Sequence, residues 1–174
     1  MSYTLIWEQN DGAESQSLQS GSSIAGGLAF YTGHIMIGEI PTKVTCSLQK
    51  IDAPTGTATL KLIASDNSVK TIFGTIDAST LTTSFIDYNF INDLATSAVS
   101  DGDILAWFYS GSSSFKYEMA ATATSANTLQ KYSSDAINWS AYPAGLYPST
   151  VKIYKAGPPT ITTRLPPPPI TVRL

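Results

Sequence analysis

The chain reads as an all-β protein, a β-sandwich or jelly roll of about ten strands carrying an extended C-terminal arm. Three observations predict this. Short segments of alternating apolar and polar residues recur along the sequence, each bounded by turn residues. Charged residues make up only 13% of the 174 positions, and Ser, Thr, Gly and aromatics stand where helix formers would otherwise be. Finally, composition changes abruptly at Gly157, after which prolines dominate.

The strand candidates follow in order. Residues 3–7 form the first. Residues 9–27 are rich in Gly, Ser, Gln and Asn and read as a long loop or a weak edge strand. Residues 28–37 come next, then 42–51 after Pro41. The turn at residues 52–56 leads into 57–64, where Ala58, Leu60 and Leu62 alternate with Thr57, Thr59 and Lys61. Asp66-Asn67 turns the chain into 69–76. Residues 77–83 hold the one short helical signal. Strands are expected again at 84–90, 103–109, 115–121, 128–132 and 150–155. The mostly apolar run Ile104 to Tyr109 marks a central strand. Two stacked sheets roughly 10 Å apart would accommodate this set. No repeat of solenoid or propeller period is present.

Two units are expected: a sandwich over residues 1–156 and a proline-rich extended arm over 157–174. The arm carries six prolines from Pro158 onward and no acidic residue. Its two halves align at a nine-residue offset, so that Ile161, Arg164 and Leu165 match Ile170, Arg173 and Leu174. Proline runs favour polyproline II, and the alternation through Ile170, Val172 and Leu174 is strand patterning. At about 3.1–3.4 Å per residue these eighteen residues reach roughly 55 Å, against a radius of gyration of about 15 Å for a domain this size. Ile161, Arg164, Leu165, Ile170, Val172, Arg173 and Leu174 are therefore the candidate partner-binding residues, adding a strand to a neighbour's sheet edge. The competing possibility is a tail that stays mobile or folds back on its own sandwich.

Net charge is −3 and basic residues form no cluster, which argues against a nucleic-acid partner. No apolar run is long enough to span a bilayer, and the N-terminus lacks the pattern of a secretory leader, so synthesis and folding in a cytoplasm are expected. Cys46, the only cysteine, shares a strand face with Val44 and Leu48 and reads as a buried thiol. His34, the only histidine, shares a face with Phe30, Thr32 and Met36 if its segment is a strand, and a structural role outweighs a catalytic one. No metal-ligand set or nucleophile motif occurs. Asp101-Gly102-Asp103 matches a fragment of a calcium loop, but its more ordinary role is to stabilise a tight turn. No catalytic residue, metal or other cofactor is assigned. Trp139 and Tyr142, near Tyr132 and Tyr147, are candidates for stacking on a glycan, or else for capping one end of the core.

Several stretches resemble a known family when taken together. They are Gly26 to Phe30, Leu48 to Gly56, Ile76 to Phe85, and Tyr132 to Asp135 with Asn138-Trp139-Ser140. Between residues 24 and 155 the chain resembles a jelly-roll family of microbial surface proteins and of phage and archaeal virus structural proteins. The resemblance implies either a particle component or an adhesive, carbohydrate-binding module, and it supplies no binding residue of its own. With the arm added, the leading expectation is a non-enzymatic virion structural protein. It would be a capsid cement or decoration protein, made in the host cytoplasm, that joins neighbouring capsid or tail subunits and itself forms oligomers. The alternative is a carbohydrate-binding or adhesive module, in a tail fibre or surface protein, that uses loop aromatics.

Overall fold

The computed structural model describes residues 1–9, 12–19, 24–112, 114–120, 127–141 and 151–158. Among these the chain forms β1 (Tyr3–Gln9), β2 (Gly12–Gln19), β3 (Ala25–Phe30), β4 (Lys43–Lys50), β5 (Thr57–Ile63) and β6 (Val69–Asp77). After a single 3₁₀ turn at Ala78–Thr80 come β7 (Ile86–Ile91), β8 (Ile104–Tyr109), β9 (Ser114–Ala120), β10 (Thr128–Ser133), β11 (Ser140–Ala141) and β12 (Val151–Ala156). The described residues include no helix long and apolar enough to cross a membrane. The protein is an all-β sandwich of two antiparallel sheets.

Eight of these strands form four nested pairs: β5 with β6, β4 with β7, β3 with β8 and β2 with β9. Their registers share one centre. Leu60 faces Gly74, Cys46 faces Tyr88, Gly27 faces Ala106 and Gln16 faces Tyr117, so these partners stand equally far from Asn67 to within one residue. The body is thus one long hairpin, folded over on itself, with its tip at Asp66-Asn67. The tip is closed by Ala64 N–H donating to the Ser68 carbonyl at 2.8 Å and by Ser68 N–H donating to the Asp66 carboxylate at 2.9 Å. Asn67 takes a left-handed φ of 70°, which asparagine tolerates better than most residues.

Folding the hairpin over sorts its pairs into two layers. The first sheet runs β2-β9-β4, with β7 on the far edge of β4 and β12 followed by β1 beside β9; the second runs β6-β5-β8-β3-β10-β11. Cys46 pairs with both Tyr88 and Val151, and Leu48 with both Ile86 and Tyr117, so β12 and β9 share one edge of β4 end to end. Between the layers lies the main core, with Phe30, Leu48, Leu60, Leu62, Leu105 and Trp107 among its members. A second, smaller cluster of Ala29, Ile63, Ile104 and Ala106 sits on the opposite face of the second sheet. Strands β3 and β8 are central and buried on both faces, which accounts for the apolar run at 104–109.

Of the two readings of residues 9–27, the edge strand is found: they contain β2, an edge strand paired with β9, and the start of β3. Two expectations change. The strand expected over 28–37 stops at Phe30, because Tyr31 and His34 carbonyls accept turn hydrogen bonds from His34 and Ile37, with Gly33 at φ 95°. His34 therefore stands in a turn and not on a strand face. Strand β3 begins earlier than apolar patterning predicts, since small residues are required where it crosses β8: a Cβ on Gly27 would overlap the Leu105 carbonyl and Ala106.

Candidate functional site

The outer face of the second sheet carries a cleft of about 360 Å³ lined by Tyr31, Ser65, Asn67, Gly102, Ile104, Lys131, Ile137, Asn138 and Trp139. Its construction begins at Asp135. That carboxylate accepts hydrogen bonds from Ser133 Oγ at 2.8 Å, Ile137 N–H at 2.9 Å, Asn138 N–H at 2.7 Å and Asn138 Nδ2 at 2.6 Å. The donors favour the charged form and hold the carboxyl far below the usual range. They also pin a turn in which Ala136 takes φ 62°. The turn delivers Trp139 to the sheet. Its indole Nε1–H donates to Asn67 Oδ1 at 2.9 Å, and its ring meets Phe108 edge-on at 6.0 Å. Asn67 Nδ2 in turn donates to the Ile137 carbonyl at 3.1 Å. The tip of the long hairpin and the 133–139 loop are thereby locked together.

Trp139 and Tyr31 both rest on the small outer cluster. Lys131 Nζ stands 6.0 Å from the Tyr31 ring centroid, and no acidic side chain lines the cleft among the described residues. Of the two aromatics singled out in the sequence, Trp139 is therefore placed in a cleft on a sheet face, away from the end of the main core. Tyr142 lies outside the described residues. Asn67, Lys131 and Tyr31 carried no sequence signal for this site, because only the rolled hairpin brings residues 31, 67 and 131 together.

A second concavity, of about 380 Å³, lies where β12 ends, lined by Gly38, Glu39, Ile40, Thr42, Asp93, Ala95, Lys155 and Ala156. Lys155 Nζ contacts both carboxylate oxygens of Glu39, at 2.9 and 3.0 Å. Tyr3 pairs with Ala156, and Gly157 N–H donates to the Ser2 carbonyl at 2.8 Å, so the chain leaves the sandwich beside the outer strand of the first sheet. Strand β1 pairs with β12 alone among the described residues, and Leu5 on it is 44% exposed. The candidate partner-binding residues Ile161, Arg164, Leu165, Ile170, Val172, Arg173 and Leu174 lie outside the described residues.

The remaining titratable groups are built into the structure. His34 is buried between Trp7 and Phe30, at centroid distances of 5.0 and 5.2 Å. Its Nδ1 accepts from Met36 N–H at 3.2 Å, and its Nε2 has no hydrogen-bond partner among the described residues. Burial lowers its pKa, since charging the ring in this apolar setting is costly. Cys46 is buried in the main core, where desolvation pushes its thiol well above the usual range. Asp101 accepts from Thr32 N–H and Oγ1 at 2.6 and 2.8 Å, and Asp103 from Lys70 and Ser100 N–H, so both carboxylates serve the turn between them. Among the described residues no group of three or more His, Cys, Asp or Glu side chains is placed to hold a metal. The chain matches no protein-family model, and comparisons with curated proteins and with solved structures found no match.

Proposed function

We propose that this protein is a non-enzymatic structural component of a virus particle, a cement or decoration protein of the jelly-roll kind. In this reading it ties capsid or tail subunits together, including copies of itself, by passing its proline-rich segment to a neighbour. The observation that carries the reading is that β1 pairs with β12 alone among the described residues and lies next to Gly157, where that segment begins. An edge strand presents unpaired backbone donors and acceptors, a ready template for an added strand. Residues 157–174 have the complementary composition: stiffened by proline, alternating at Ile170, Val172 and Leu174, and free of acidic residues. Proline limits the conformations available before docking and so lowers the ordering cost. Each Ile, Val or Leu buried on a partner would contribute about 1.5–3 kcal/mol. The nested strand pairs also suit the family resemblance, since a folded-over hairpin is how a jelly roll is made.

The test is a chain ending at Ala156, compared with the full chain by sedimentation and by thermal melting of the assembly. The shortened chain is expected to keep its β circular dichroism and lose assembly. A full-length Ile170→Asp, Val172→Asp double variant is expected to behave the same way. Assembly of undiminished stability in both would overturn the reading.

A further inference from the structure

We propose that the cleft between Tyr31 and Trp139 is a binding site for a saccharide bearing a carboxylate, such as a hexuronic acid unit. This site does not rest on the arm reading: the cleft lies on the second sheet, whereas β12, which ends just before Gly157, belongs to the first. Four features of the cleft argue for it. Two aromatic side chains line an open concavity and are supported from beneath by Ile104 and its cluster, so their rings are held against the sheet. The apolar C–H faces of a pyranose ring pack on such surfaces. Beside Gly102 and Ile137, the rest of the described lining carries one cation and otherwise uncharged polar groups: the Ser65 hydroxyl and the Asn138 amide oxygen are of the kind that read sugar hydroxyls, while the Asn67 amide is engaged with Trp139 and the Ile137 carbonyl.

The cation is the third feature. Lys131 Nζ hangs at the rim over Tyr31, forms no ion pair among the described residues and has no carboxylate in the cleft to neutralise it. In a protein of net charge −3, a cleft whose described lining holds one ammonium and no acid favours an anionic ligand. The fourth is rigidity. Asp135 is held by four hydrogen bonds and Trp139 by the 2.9 Å bond to Asn67, so the site is organised before any ligand arrives. A turn that served only to cover Ala29 and Ala106 would not require an open, acid-free cleft beside it.

The test uses the full-length ¹⁵N-labelled protein titrated with trigalacturonate and, separately, with neutral maltotriose. The indole Nε1–H signal of Trp139, identified by its disappearance in Trp139→Phe, and the Asn138 amide are followed by NMR. Trigalacturonate is expected to shift both signals saturably. A Lys131→Met variant, which keeps the aliphatic stem, is expected to bind it about tenfold more weakly, the size of one charge-assisted hydrogen bond. Tyr31→Ala is expected to weaken it by a similar factor. Absence of any shift overturns the proposal. So does an unchanged affinity in Lys131→Met, or maltotriose binding as tightly as trigalacturonate.

Discussion

Lys70 Nζ lies 2.5 Å from Asp103 Oδ2, in an ion pair whose carboxylate side chain is only 2% exposed. The ammonium also donates to the Ala98 carbonyl at 2.6 Å and Ser100 Oγ at 3.1 Å, and Asp103 accepts from Ser100 N–H at 2.7 Å. All three donors of the ammonium are met inside the protein. The pair ties the start of edge strand β6 to the turn that launches central strand β8. Breaking it from one side strands the other charge. Asp103→Ala is expected to cost about 3 kcal/mol in urea unfolding, and adding Lys70→Met is expected to cost less than the two single changes together.

Gly27 and Gly38 make opposite demands. At Gly27 a Cβ would overlap the Leu105 carbonyl oxygen and Ala106, both in a central strand that cannot shift without disturbing both clusters. At Gly38 the space is open, and only the φ of 88° disfavours a side chain. Gly38→Ala is expected to lower stability by about 1–2 kcal/mol. Gly27→Ala should cost several times more, on the order of 3–5 kcal/mol, as an overpacked core position. Thermal unfolding of the two variants side by side measures the difference.

His34 should make stability depend on pH. Its folded pKa lies below the ordinary value near 6.5, so the unfolded chain takes up a proton more readily than the folded one. The neutral ring's contribution is complete above about pH 6.5 and is lost as the pH falls from there toward the folded pKa. A plot of unfolding free energy against pH is expected to slope downward between about pH 6.5 and about pH 5 in the native sequence and to lose that part of the slope in His34→Gln, while the carboxylates' slope at lower pH remains.

Asp135 acts in a different window. Its carboxyl is held far below the usual range by donors from Ser133, Ile137 and Asn138, so the turn should survive mild acid and loosen only in strong acid. Asp135→Ala is expected to release the loop at neutral pH. Faster hydrogen exchange at the Ile137 and Asn138 amides, with β3 and β8 unaffected, is the measurement that checks it.

Much of the fold was legible because strand patterning is local. Alternation at Ala58, Leu60 and Leu62 marks β5, and the mostly apolar run at 104–109 marks a central strand. The misreadings arise where a long-range contact overrides local preference. Ala25 to Gly27 look like loop residues until β8 is seen to cross them without room for a side chain. Residues 31–37 carry strand-like alternation, yet turn hydrogen bonds and Gly33 bend the chain there. Trp139 stood out in the sequence as a loop aromatic, but its partner Asn67 is 72 positions away and gave no sign of the connection.

What the sequence determined alone is most of the strands, the turn at Asp66-Asn67 and the change of character at Gly157. Each follows from side-chain size, alternation and backbone preference over a few neighbouring residues. What the tertiary structure decided is which strands meet. By folding one hairpin about Asn67 it matched residues as far apart as Gly12 and Ala120, brought Tyr31, Asn67, Lys131 and Trp139 to one cleft, and set Lys70 against Asp103. Pairing over such distances depends on burying both sheets at once, and no local run of residues encodes that.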